Sequence, residues 1–163
     1  MGVFMLKFFR IISVVLLISW MIMIFNLSSE DAGISSKTSG VIVDKIISLL
    51  IPDYEDLNTE EQLMVRDNFQ FAIRKTAHFT IYGILGIFAF LSIATYMNIP
   101  IVFRLISPAL VCLAYSISDE LHQRLVPGRS GELRDVLIDF CGSLLGIAAI
   151  FLITRLKPFK RFI

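Results

Sequence analysis

A chain of 163 residues that is 56% hydrophobic, only 18% charged and of net charge +1 has too few ionic groups to clothe a water-soluble domain of its size. Its two cysteines, Cys112 and Cys141, lie in apolar helical contexts with no disulfide or metal-ligand spacing, and are read as free and buried. The composition names no cofactor and no metal, and it gives no reason to expect a nucleic-acid partner.

Four nearly uncharged runs, Ile11–Ser29, Thr76–Phe103, Leu105–Ser118 and Phe140–Thr154, account for the apolar excess. A spanning helix takes about 17–25 residues, so the first two suffice alone and the last two by recruiting their polar ends. The expected fold is all-α: a single polytopic membrane domain with transmembrane helices at about 8–28, 75–97, 101–120 and 135–155. The segment at about 29–74 is expected outside the cytoplasm, with short amphipathic helices between the first and second spans. Lys7, Arg10, Arg104, Arg155, Lys157, Lys160 and Arg161 occupy segments without a single acid, and the remaining segments hold the other eight bases and all fourteen acids. The positive-inside rule then puts both termini in the cytoplasm and both acidic loops outside.

In chain order, a basic lead precedes the first span, and FNLSSEDAG after it lacks a small-residue cleavage motif, so the span reads as a retained anchor. Ser28, Ser29, Ser35, Ser36 and Ser39 read as caps and turns. Val41–Ile51 reads as an amphipathic helix on the outer surface, stopped by Pro52. An acidic turn follows, and Thr59 with Gln62 reads as the capping box of a helix running towards Arg74.

The second span opens RKTAHFTIYG. At 100° per residue Lys75, His78, Tyr82 and Gly86 fall within about 80° of one another, with Arg74 beside His78. Arg74 and Lys75 alone would pass for headgroup anchors, whereas His78 and Tyr82 lie deeper and so face protein or a wet cavity. The third span carries Ser116, Asp119, Glu120 and Gln123 on one face, with Pro108 as a possible kink and His122 nearby. A charge at mid-bilayer costs roughly 2.5–3.5 kcal/mol, so this pair of acids sits at a boundary or is paired inside. Pro127-Gly128 turns the chain back and aims Arg129 at the same rim or at water. The fourth span aligns Asp135, Asp139, Gly142 and Gly146, so its acid-over-glycine face points inward, and its GxxxG reads as close packing.

The convergent groups are therefore Arg74, Lys75, His78, Tyr82, Ser116, Asp119, Glu120, His122, Gln123, Arg129, Asp135 and Asp139. Three readings follow. The set could pair internally as a clamp, Arg74 with Asp139 or Arg129 with Asp119. It could bind an anionic headgroup through Arg74, Lys75 and Arg129. Or it could catalyse, with His78 as acid or base and Asp119 or Glu120 as its partner. No G-x-S-x-G or H-E-x-x-H is present to name a nucleophile or zinc site.

At RKTAHFTIYGILG, YSISDELHQRLVPGRSGELRD and VLIDFCGSLLG the chain resembles the VanZ-like family of bacterial membrane proteins, over nearly its whole length. Arg74, Lys75, His78, Tyr82, Asp119, Glu120, His122, Gln123, Arg129, Asp135, Asp139, Gly142 and Gly146 stand on that family's pattern, whereas Glu30 replaces an expected Gln. The resemblance implies an envelope protein linked to susceptibility to the glycopeptide teicoplanin. Its implied partner is a membrane lipid or lipid-linked cell-wall precursor, and the reaction type and oligomeric state stay open.

Overall fold

A computed structural model describes residues 2–94 and 100–155. It is all helix among those residues: α1 Gly2–Ser28, α2 Ala32–Leu50, α3 Thr59–Ala94, α4 Ile101–Gln123 and α5 Leu133–Arg155, with one short 3-10 turn at Tyr54–Asp56. Four of them, α1, α3, α4 and α5, are long and apolar enough to cross a membrane. The predicted end of the second span at 97 and the basic residues Lys157, Lys160 and Arg161 lie outside the described residues.

Within α1 the buried Ser13 is no liability, because its hydroxyl donates back to Phe9 O and Arg10 O, each at 3.0 Å. The helix after it starts earlier than its hydrophobic pattern does. α2 begins at Ala32, so Ser36 and Ser39 are helical and not turn residues. Packing decides this: Gly40, Val43 and Ile47 form the buried face of α2, and Gln70 of α3 donates to Ser36 O and Ser39 Oγ, both at 3.3 Å. Arg66 of α3 pairs with Asp44 at 3.0 Å on the exposed side.

α3 is one helix where two were expected. No Gly or Pro interrupts Thr59–Tyr82, so nothing breaks the ladder near residue 74. Its capping box is also one residue earlier than expected. Asn58 Oδ1 accepts from Glu61 N at 3.0 Å and Glu61 Oε2 accepts from Asn58 N at 3.2 Å, whereas Gln62 turns back to donate to Tyr54 O and Leu57 O. Asn caps as well as Thr does, so both registers satisfy the pattern and only the fold selects one. At 1.5 Å per residue, 36 residues reach about 54 Å, well beyond a hydrocarbon core of about 30 Å. The first four turns of α3, with α2 laid against them, therefore extend past the spanning part.

α4 continues to Gln123 through a buried Pro108, and α5 starts at Leu133, two residues before the expected position. Ser92 Oγ donates to Ser13 O at 3.0 Å, and the rings of Phe90 and Phe151 meet at 6.1 Å. The start of α1, the end of α3 and the end of α5 thus share one end of the bundle. The exit of α1, the middle of α3 and the α4–α5 loop share the other, where Arg129 Nε donates to Glu30 O at 2.8 Å.

α3 is the central helix. Its seam with α5 is backbone on backbone: a Cβ added at Gly142 would lie 2.2 Å from Phe79 O, and one at Gly146 only 1.9 Å from Gly83 O. From the other helix Gly86 plays the same part, its added Cβ meeting Ser143 O at 2.3 Å. On its opposite side Tyr82, Leu85 and Ala89 pack with Ile24 and Cys112, and Trp20 Nε1 donates to Ile81 O at 2.9 Å. Cys112 is buried as expected; Cys141 is exposed, on the outer surface of α5, and both are free.

Candidate functional site

The polar stripes of three spans meet at the end of the bundle that holds the α4–α5 loop. They separate into three layers. Deepest is a buried acid layer. Asp119 Oδ2 accepts from Tyr82 OH and from Gln123 Nε2, both at 3.1 Å, while its Oδ1 has no partner among the described residues. Asp139, 0% exposed, lies with Oδ1 3.3 Å from His78 Nδ1, without the alignment of a hydrogen bond. The acid beside His78 is therefore Asp139, not Asp119 or Glu120. Ser143, below it, donates to Tyr82 O at 3.2 Å and joins the two acid-bearing helices through α3.

The middle layer neutralises. Lys75 Nζ contacts Asp135 Oδ1 in a largely buried ion pair between α3 and α5. Glu120 does not turn towards His78; its Oε2 accepts from Glu132 N at 2.9 Å, satisfying a donor just before α5. His122 stacks on Phe25 with ring centroids 4.5 Å apart, and Ser116 Oγ donates to Leu113 O at 3.0 Å within its own helix. Ser116, Glu120 and His122 thus line neither of the two cavities at this site, and they hold helices and loop in place.

The outer layer is cationic. Arg129 comes from the loop that turns at Gly128, whose φ of 73° is the left-handed region that glycine adopts without strain. Its guanidinium donates to Glu30 O at 2.8 Å and to Leu27 O at 3.1 Å, capping carbonyls at the end of α1. It does not make the pair with Asp119 expected of a clamp. Burial, then the neighbouring Arg74, draws its pKa below the usual value, and Asp119, Glu30 and Glu120 oppose this. A guanidinium stays charged regardless. Arg74 is exposed and has no ion pair among the described residues.

Two adjoining cavities open between these layers. The larger, of about 230 Å³, is walled by Ile24, Leu27, Ile42, Ile73, Ala77 and Ile81, with His78, Tyr82 and Asp119 as its polar floor and Arg74 and Arg129 on its rim. The smaller, of about 60 Å³, includes Ser36, Gln70, Gln123, Ser130 and Asp135. Ser39, Arg74, His78 and Arg129 line both. Among the described residues no group of three or more His, Cys, Asp or Glu side chains has the arrangement to hold a metal ion.

Of the twelve residues expected to converge, eight (Arg74, His78, Tyr82, Asp119, Gln123, Arg129, Asp135 and, through His78, Asp139) border the cavities or their floor. Lys75 reaches them through Asp135. Sequence reasoning missed Ser36, Ser39, Gln70 and the apolar wall. Gln70, Arg74 and His78 stand at i, i+4 and i+8 on α3, so extending the Arg74–His78 line backwards by one turn would have reached Gln70.

A family model described as VanZ/LLP1 matches residues 13–154, most of the chain and every residue of the site. No curated protein and no solved structure matches the chain at a significant level.

Proposed function

The chain belongs to the VanZ/LLP1 family, and from that premise we propose that it is an integral protein of the bacterial plasma membrane whose pocket binds the anionic headgroup of a membrane lipid or a lipid-linked cell-wall precursor. Both termini are cytoplasmic in this reading, and the pocket opens at the outer leaflet. The observation that carries it is the larger cavity: an apolar wall of about six side chains ending at Arg74, a guanidinium with no ion pair among the described residues. An apolar chain and a phosphate joined end to end match that distribution, since guanidinium binds phosphate in a bidentate fork. Holding such a headgroup would change what a lipoglycopeptide meets at the membrane surface, and so would alter teicoplanin susceptibility.

The test is a lipid titration of the purified protein by native mass spectrometry. Anionic phospholipid binds at least tenfold more tightly than phosphatidylcholine, and Arg74→Ala removes most of that margin. Equal binding of the two lipids by the wild-type protein refutes the reading. Reporter fusions at either terminus check the topology, both giving cytoplasmic signals.

A second reading draws on His78 beside Asp139 at the cavity floor. In it the protein is a hydrolase or transferase of an envelope lipid, with His78 as acid or base, Asp139 holding its imidazole, Tyr82 and Asp119 near the reacting group, and the arginines stabilising phosphoryl charge. Product formed from labelled undecaprenyl-linked substrate, and lost in His78→Ala at equal abundance, favours it over simple binding.

A further inference from the structure

The two cavities differ in chemistry in a way that specifies the ligand more closely than charge does. On one side of Arg74, His78 and Arg129 lies the apolar wall of the larger cavity. On the other lie hydroxyl and amide side chains, with Gln70 fixed by its bonds to Ser36 O and Ser39 Oγ at 3.3 Å. Arg74 and Arg129, with Ser39 and His78, are the residues the cavities share, so a phosphate bound there has an apolar neighbour on one side and a hydrogen-bonding neighbour on the other. The smaller cavity, at about 60 Å³, has about a quarter of the larger one's volume, so the group on the polar side is the smaller of the two.

Resting on the anionic-headgroup reading, we infer that the ligand is a phosphodiester whose far side carries a small hydroxylated group of glycerol size, seated among Ser36, Gln70, Gln123 and Ser130, with its apolar chain along Ile73, Ala77 and Ile81. The same chemistry, an apolar chain, a phosphate and hydroxyls, occurs in a glycerophospholipid with a glycerol head and in a polyprenyl phosphate joined to a sugar. The smaller size of the polar cavity beside the apolar one favours the first. The binding energy on the polyol side comes from hydrogen bonds to groups already ordered by α2–α3 packing, so little side-chain freedom is lost on occupancy.

The experiment compares phosphatidylglycerol with phosphatidylmethanol of the same acyl chains, each a singly charged phosphodiester, only the first bearing hydroxyls. A polyprenyl phosphohexose is the third ligand and phosphatidylcholine the reference, all titrated against the full chain in detergent by native mass spectrometry. Phosphatidylglycerol binds at least tenfold more tightly than phosphatidylmethanol, and no more weakly than the phosphohexose. In a Ser36→Ala/Gln70→Leu variant the tenfold margin falls below threefold, and Arg74→Ala weakens both lipids alike. Equal wild-type binding of phosphatidylglycerol and phosphatidylmethanol, both above phosphatidylcholine, overturns the polyol assignment and leaves the headgroup reading standing. Neither lipid exceeding phosphatidylcholine overturns both. A phosphohexose bound tenfold more tightly than phosphatidylglycerol overturns the assignment to a glycerol-sized group. The wild-type comparison stands whether or not the variants fold.

Discussion

Along α3, the face turned to α5 and the face turned to α1 and α2 are built in opposite ways. Towards α5 the contacts are glycine against carbonyl, with Gly142 beneath Phe79 O, Gly146 beneath Gly83 O and Gly86 beneath Ser143 O. At those three glycines there is no room even for a methyl group. Towards α1 and α2 the side chains are larger, the backbones stand further apart, and a cavity of about 230 Å³ is left between them. Closeness on one side anchors α3, and separation on the other gives it a pocket to line. Small residues let helices approach within van der Waals contact and so fix their register, which polar side chains on the same turns then inherit. That is how Lys75 meets Asp135 and His78 meets Asp139.

The comparison can be broken most sharply at the seam. Gly146→Leu forces a side chain into the Gly83 carbonyl, and should cost more than about 3 kcal/mol, since overpacking against backbone cannot be relieved by a rotamer. The check is the yield of monodisperse protein and its thermal midpoint. On the open face, Arg129→Ala removes two charge-assisted bonds to Leu27 O and Glu30 O and should cost about 2 kcal/mol, with the α4–α5 loop exchanging amide hydrogens faster. Arg129→Lys should recover only part of this, because an ammonium lacks the planar fork.

Tyr82→Phe, which deletes the donor to Asp119 without changing the ring, should cost about 1 kcal/mol in chemical or thermal denaturation. Ala77→Leu is the counterpart of the glycine change: the same side chain, placed where the cavity receives it, should shift stability by less than about 0.5 kcal/mol while lowering anionic-lipid affinity at least fivefold. If Ala77→Leu destabilises as much as Gly146→Leu, the two faces of α3 do not differ in packing.

Much of this was legible in the residues themselves. Runs of apolar residues set the number of spans, because a bilayer demands about twenty of them whatever the partners. Helical periodicity put the polar groups of each span on one face, and the glycines of α5 on the same face as its acids, since both follow from 3.6 residues per turn within one helix. Local signals also misled. Serines 36 and 39 looked like turn residues, and Thr59 with Gln62 looked like a cap, because each pattern has a second solution that local chemistry does not penalise.

What the tertiary structure alone decided is which group meets which. Asp139 rather than Asp119 or Glu120 stands beside His78, Glu120 serves a backbone donor before α5, and Arg129 caps α1 instead of meeting an acid. Each of those choices depends on how far one helix is shifted along another. Periodicity carries the direction in which a side chain leaves its helix, but no information on that shift. The shift was set here by glycines and carbonyls distant along the chain, through contacts so short that a single added methyl would abolish them.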